Sequence, residues 1–135
     1  MPDGWPYTVC QNHAISVYLQ IENHVRFAIA SGFVKAGESL PSVRDLAQRL
    51  GVNPNTVTKA YRDLELLGIV ATRRGVGVRV TPNAAALCAE ETKRAVLERL
   101  SDATAECMAA GIPKTEIRQR VRESLDSGRY PYSGS

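Results

Sequence analysis

Four residues, Gly51-Val52-Asn53-Pro54, constrain this chain more than any other stretch, because they end one helix and begin another within a single turn. A glycine lets the backbone leave a helix at positive φ, and a small apolar residue can pack beneath the turn. Asparagine followed by proline then supplies an N-cap and a first helical residue whose missing N–H costs nothing. The preceding helix is signalled by Ser42 as N-cap, with Asp45 three residues on near the positive end of the helix dipole. Val43, Leu46, Ala47 and Leu50 form its apolar face. In the following helix Val57, Ala60, Tyr61, Leu64 and Leu67 recur at three- and four-residue spacing and are read as core, and Gly68 marks its end. The opposite side of its first turns carries Asn53, Asn55, Thr56, Thr58 and Lys59. These are short polar groups and one cation, suited to base edges and phosphates in a DNA groove.

After Gly68 the apolar period shortens from helical to strand-like. Residues 69–73 and 78–81 are short β-prone runs flanking Arg74-Gly75-Val76-Gly77, which implies a hairpin with a basic, glycine-rich tip. Arg73 and Arg74 carry charge there, and the glycines let the backbone approach a phosphate or enter a minor groove. Upstream, Ile21, Val25, Ala28 and Ile29 place an amphipathic helix over 17–31, closed by Gly32, as the third helix of a small core. The fold class expected is mainly α with a small β-hairpin, a winged helix-turn-helix over residues 16–81.

The stretch from Tyr18 to Gly77 resembles the N-terminal reader domain of the GntR family of bacterial transcriptional regulators. The residues that carry the likeness are YLQI at 18–21, AGESLPSVRDLA at 36–47, GVNPNTVTKAY at 51–61, LELLGIV at 64–70 and RRGVG at 73–77. The resemblance implies that Arg44 reaches a base or phosphate from the positioning helix. It further implies that Asn53, Asn55, Thr56 and Thr58 contact an operator and that Gly75 enters the minor groove. With Ser42 of the same LPSVR element, Lys59, Arg73 and Arg74, these form the candidate DNA-binding set. Lys59 is weighed equally as a solvated charge. Many relatives continue the wing with Thr-Phe-Val, where this chain has Val78-Arg79-Val80.

Charge is placed to suit such a reader. Residues 35–81 hold eight Lys/Arg against four Asp/Glu, residues 82–135 hold eight against eight, and the whole chain is +3. Three cysteines, Cys10, Cys88 and Cys107, stand without CxxC spacing and support neither a disulfide framework nor a zinc site. His13 and His24 are isolated, and no nucleophile, base and orienting group stand at recognisable spacing. No enzyme activity, metal or cofactor is expected. Without an apolar run of about 18 residues or a basic-then-apolar leader, the chain is expected in the cytoplasm, with no membrane partner.

Beyond the wing, Pro82 ends the strand and Asn83 can cap a long helix over 84–110, stopped by Gly111 and Pro113; a last helix is expected over 114–127. Leu97, Leu100, Cys107, Met108, Ile117, Val121 and Leu125 are the candidate dimer interface. Two such helices by themselves are too few to enclose a ligand cavity of several hundred cubic ångströms, but enough for a dimer seam. Residues 1–15 read as a loose arm, 82–128 as a dimerisation tail and 129–135 as frayed. This short tail resembles the YtrA-type branch of the family, which implies a homodimer, repression and an inverted-repeat DNA operator. A small-molecule effector is compatible with the pattern, and no residue identifies one. The competing readings are a nonspecific nucleoid-type DNA binder and a winged helix used for protein docking.

Overall fold

The computed structural model describes residues 4–132; residues 1–3 and 133–135, the extremes of the expected arm and frayed end, lie outside the described residues. The chain runs α1 (Val17–Ala30), α2 (Val43–Leu50), α3 (Pro54–Leu66), β1 (Val70–Arg73), β2 (Gly77–Val80), α4 (Ala84–Ala109) and α5 (Lys114–Ser127). The first three helices enclose one core. Ile21, Val25 and Ala28 of α1, Leu46 of α2, and Val57, Ala60 and Leu64 of α3 are fully buried. Tyr61 is buried beside them, and its hydroxyl donates to the Pro41 carbonyl at 2.7 Å, which satisfies that buried polar atom. That bond ties the start of α2 to the middle of α3.

Both ends of the central turn are made as the residues dictate. The Ser42 hydroxyl accepts from the Asp45 N–H at 3.1 Å, and the Asn53 side-chain oxygen accepts from the Asn55 N–H at 2.8 Å. Gly51 sits at φ 68°, ψ 38°, a conformation that costs about 1–2 kcal/mol for a residue with a Cβ. The end of α3 closes with a Schellman pair: Ile69 N–H donates to Leu64 O and Gly68 N–H to Glu65 O, both at 3.0 Å. This geometry corrects one expectation. Leu67 is 57% exposed, and Ile69 occupies the core position instead, because the reversal at Gly68 turns the chain back over the helix end.

The wing strands pair antiparallel, with Val70 opposite Val80 and Arg73 opposite Gly77. Val78 and Val80 face the core. A third extended segment backs the hairpin: Leu40 N–H donates to Val78 O at 2.8 Å, Gly37 N–H to Val80 O at 2.8 Å and Val80 N–H to Glu38 O at 3.0 Å. Arg79 turns outward and donates to Gly37 O at 2.8 Å. The Val-Arg-Val variant of the second strand therefore packs by alternation, two valines inward and one arginine closing the edge.

Two further expectations are corrected. The arm is not loose within the described residues: Trp5 and Tyr7 are buried, Tyr7 stacks on His24 with centroids 5.0 Å apart, and Trp5 meets Tyr7 and Phe33 edge-on. The Gln20 amide fixes the arm by accepting from Cys10 N–H and donating to Cys10 O and Ile15 O at 2.7–2.9 Å. The C-terminal end does not fray through Tyr132. Tyr130 packs edge-on against Tyr7, and the Asn23 amide donates to the Tyr132 hydroxyl at 2.9 Å. Irregularly spaced aromatics carry no helical or strand period, and Tyr130 and Tyr132 meet Tyr7 and His24 more than a hundred residues away. Asn83, finally, makes no side-chain cap. It lies in the αR region, and Thr81 anchors this junction by donating to Gly68 O at 2.7 Å.

Candidate nucleic-acid interface

The residues expected to read DNA fall on three pieces: the N-terminus of α2, the N-terminus of α3 and the wing tip. Ser42 and Arg44 are exposed on α2, and Asn53, Asn55 and Lys59 are exposed on α3. Thr56 and Thr58 are half-buried, and the Thr58 hydroxyl donates to the Pro54 carbonyl at 3.1 Å, which leaves its oxygen as an acceptor. Asn53 serves two ends at once. Its oxygen caps the helix, and the cap fixes the free N–H groups of the first turn, a natural seat for a phosphate.

Lys59 is more constrained than a solvated lysine. Its ammonium lies 3.9 Å from the centroid of the Tyr18 ring on α1, a cation–π contact that limits where the charge can reach. Tyr18 was missed as a site residue, since the sequence shows only its helical position and not the face it shares with α3. Behind Lys59, Glu22 is 4% exposed with one carboxylate oxygen buried and lacking a hydrogen-bond partner. Burial first, and the neighbouring Asp63 carboxylate next, push Glu22 up to about 7.

At the wing, Arg73 and Arg74 are exposed, and Gly75 and Gly77 have φ of 80° and 95°. Space around the Gly75 Cα is open, so the glycine is required by backbone conformation, and the missing side chain also permits close approach to a ligand. Val76 is 47% exposed at the tip, an apolar side chain beside two arginines that sequence reasoning passed over as a turn residue. The wing is held to the reader by Glu65 of α3, whose carboxylate accepts from Thr72 N–H at 2.9 Å.

The candidate dimer residues divide. Leu100, Cys107, Ile117 and Val121 line a common cleft of about 270 Å³ between α4 and α5, whereas Leu97 and Leu125 stand apart from it and are 51% and 77% exposed. Met108, 53% exposed, lines a separate small recess with Ile117. No described helix is long and apolar enough to cross a membrane.

A helix-turn-helix whose second helix opens on polar groups and whose hairpin carries a basic tip defines the winged-helix class of DNA readers. Residues 17–80 match the gntR family of bacterial regulatory proteins. The chain is 35% identical over 107 residues to the HTH-type transcriptional repressor YtrA of Bacillus subtilis strain 168, a match taking in 79% of this chain and 82% of that one. Among solved structures it is similar to a GntR family transcriptional regulator from Listeria monocytogenes, at 32% identity and a TM-score of 0.63, over 83% of this chain and 97% of that one. It is also similar to the AraR DNA-binding domain in complex with operator ORX1, at 25% identity and a TM-score of 0.50, over 56% of this chain and 95% of that domain. The chain belongs to the gntR family of bacterial regulatory proteins: it is a DNA-binding transcriptional regulator with a YtrA-type homologue, and not an enzyme.

Proposed function

We propose that this regulator is a repressor that binds an inverted-repeat operator as a homodimer joined through α4 and α5. The observation that carries the reading is α5 itself. None of its residues is buried, although Ile117, Val121 and Leu125 form a stripe along it, so its apolar face needs a second surface. A two-fold copy is the simplest self-complementary one. Two readers related in that way present their α3 helices to major-groove faces about 34 Å apart, one turn of DNA, while each wing contacts backbone or minor groove alongside. Ser42, Arg44, Asn53, Asn55, Thr56, Thr58 and Lys59 face the duplex from α2 and α3, and Arg73, Arg74 and Gly75 face it from the wing. Repression is supported by the name of the Bacillus relative and acts by occluding polymerase.

The test is a fluorescence-anisotropy titration of DNA from the gene's own upstream region in about 150 mM salt with random competitor. A palindromic site is expected to outcompete random DNA by orders of magnitude. Arg44→Ala is expected to lower affinity about fivefold or more, as loss of a charge-assisted contact of about 1–3 kcal/mol implies. Equal binding of upstream and random DNA indicates a nonspecific binder, and no binding to either leaves the winged helix as a docking module.

A further inference from the structure

A cavity of about 560 Å³ lies where α1, the turn that closes α3, and α4 meet. Its walls account for exposures that the reader alone leaves unexplained. Leu67 and Leu87, 57% and 49% exposed, line it together with Phe27 and Val96. Polar groups converge on the same space: Arg26 of α1 and Arg99 of α4 on the walls, and Thr92, whose hydroxyl oxygen is buried without a hydrogen-bond partner. Glu91 is the one carboxylate among the lining residues, so two guanidiniums face one acid. Buried hydroxyls without partners are uncommon, and an apolar cavity with a few convergent polar groups is the usual form of a small-molecule site.

We infer that this cavity binds a small amphipathic anion, an apolar body against Phe27, Leu67, Leu87 and Val96 with one carboxylate-like headgroup held by Arg99, Arg26 and the Thr92 hydroxyl. Arginine suits such a headgroup because its planar fork pairs with two oxygens at once. The position implies what the ligand does. Leu67 and Ile69, both at the wall, belong to the turn joining α3 to β1, while Arg99 lies midway along the helix that leads into the tail. A ligand that spans the cavity therefore touches the reading elements and the dimer-forming helix together, and its occupancy couples their relative position. This regulatory role rests on the homodimeric repressor reading; the binding itself does not.

The test is calorimetric titration of the full chain, without DNA, against two anions and their neutral counterparts: decanoate with decanol, and 4-phenylbutyrate with 4-phenylbutanol. At least one anion is expected to bind, with its alcohol at least tenfold weaker. Arg99→Gln is expected to weaken the anion about tenfold or more and leave the alcohol unchanged. Ala95→Trp, which fills the cavity from α4, is expected to abolish both. The inference is overturned if neither anion binds, if anion and alcohol bind alike, or if Arg99→Gln and Arg26→Gln both bind the anion as the parent does. DNA affinity measured without ligand reports separately on the regulator reading, so the two can fail independently.

Discussion

Helices α3 and α5 are nearly the same length, 13 and 14 residues, yet the fold uses them in opposite ways. α3 buries Val57, Ala60, Tyr61 and Leu64 within its own chain and leaves its polar first turns outward. α5 buries nothing, and its stripe of Ile117, Val121 and Leu125 runs between charged neighbours. The difference separates a helix face covered within its own chain from one left open. A helix whose apolar face is filled by its own domain holds a shape that can be read against DNA. A helix whose face is open is held by cooperative backbone bonds and by whatever surface covers it.

The comparison is sharpened first by truncating the filled face. Leu64→Ala removes a fully buried side chain at the centre of the reader and is expected to destabilise the chain by about 2–5 kcal/mol in urea unfolding. A loss below about 1 kcal/mol would mean that the reader core repacks freely and that the contrast with α5 is overstated.

A smaller effect is expected where the arm closes over α1. His24 is fully buried against Tyr7, and burial pushes it down to about 4 from the ordinary 6.5. The unfolded chain therefore takes up a proton between those values that the folded chain refuses. Stability is complete above about pH 6.5 and falls as pH drops toward 4, by at most about 3 kcal/mol. His24→Phe keeps the ring and removes the titration, so the difference between variant and parent in unfolding free energy should grow in the variant's favour across that window. A constant difference would place the histidine in water in the native state.

The smallest effect on folding is expected in the tail. Leu125→Asp, at a position 77% exposed, should move the unfolding free energy of the dilute chain by no more than about 0.5 kcal/mol. Light scattering should nevertheless show a dissociation constant for the proposed homodimer raised at least tenfold, since a carboxylate would be buried in the proposed seam. An unchanged dimer would move the interface away from α5 and toward Leu97 and Leu100 on α4 alone.

Most of the reader was legible in the residues because its determinants are local. Ser42 and Asn53 cap within three residues, Gly51 and Gly68 reverse the chain where they stand, and the wing follows from alternation around two glycines. Leu67 was misread because helical spacing continues one residue past the point where the Schellman turn redirects the chain. The ends were misread for a different reason. Trp5, Tyr7, Tyr130 and Tyr132 have no shared period, and only the folded chain brings the first and last segments to the same side of α1.

The site divides along the same line. The exposed placement of Arg44, Asn53, Asn55 and Gly75 on the helix starts and the wing tip followed from the residues and their spacing, because short-range backbone geometry decides which groups a cap or a turn exposes; their role as DNA contacts is proposed from the family resemblance. The ring of Tyr18 beneath Lys59, the carboxylates of Glu22 and Asp63 behind it, and the cavity between α1 and α4 depended on how helices distant in sequence pack. Packing is set by the joint volume and shape of many side chains, and no single stretch of sequence carries that information.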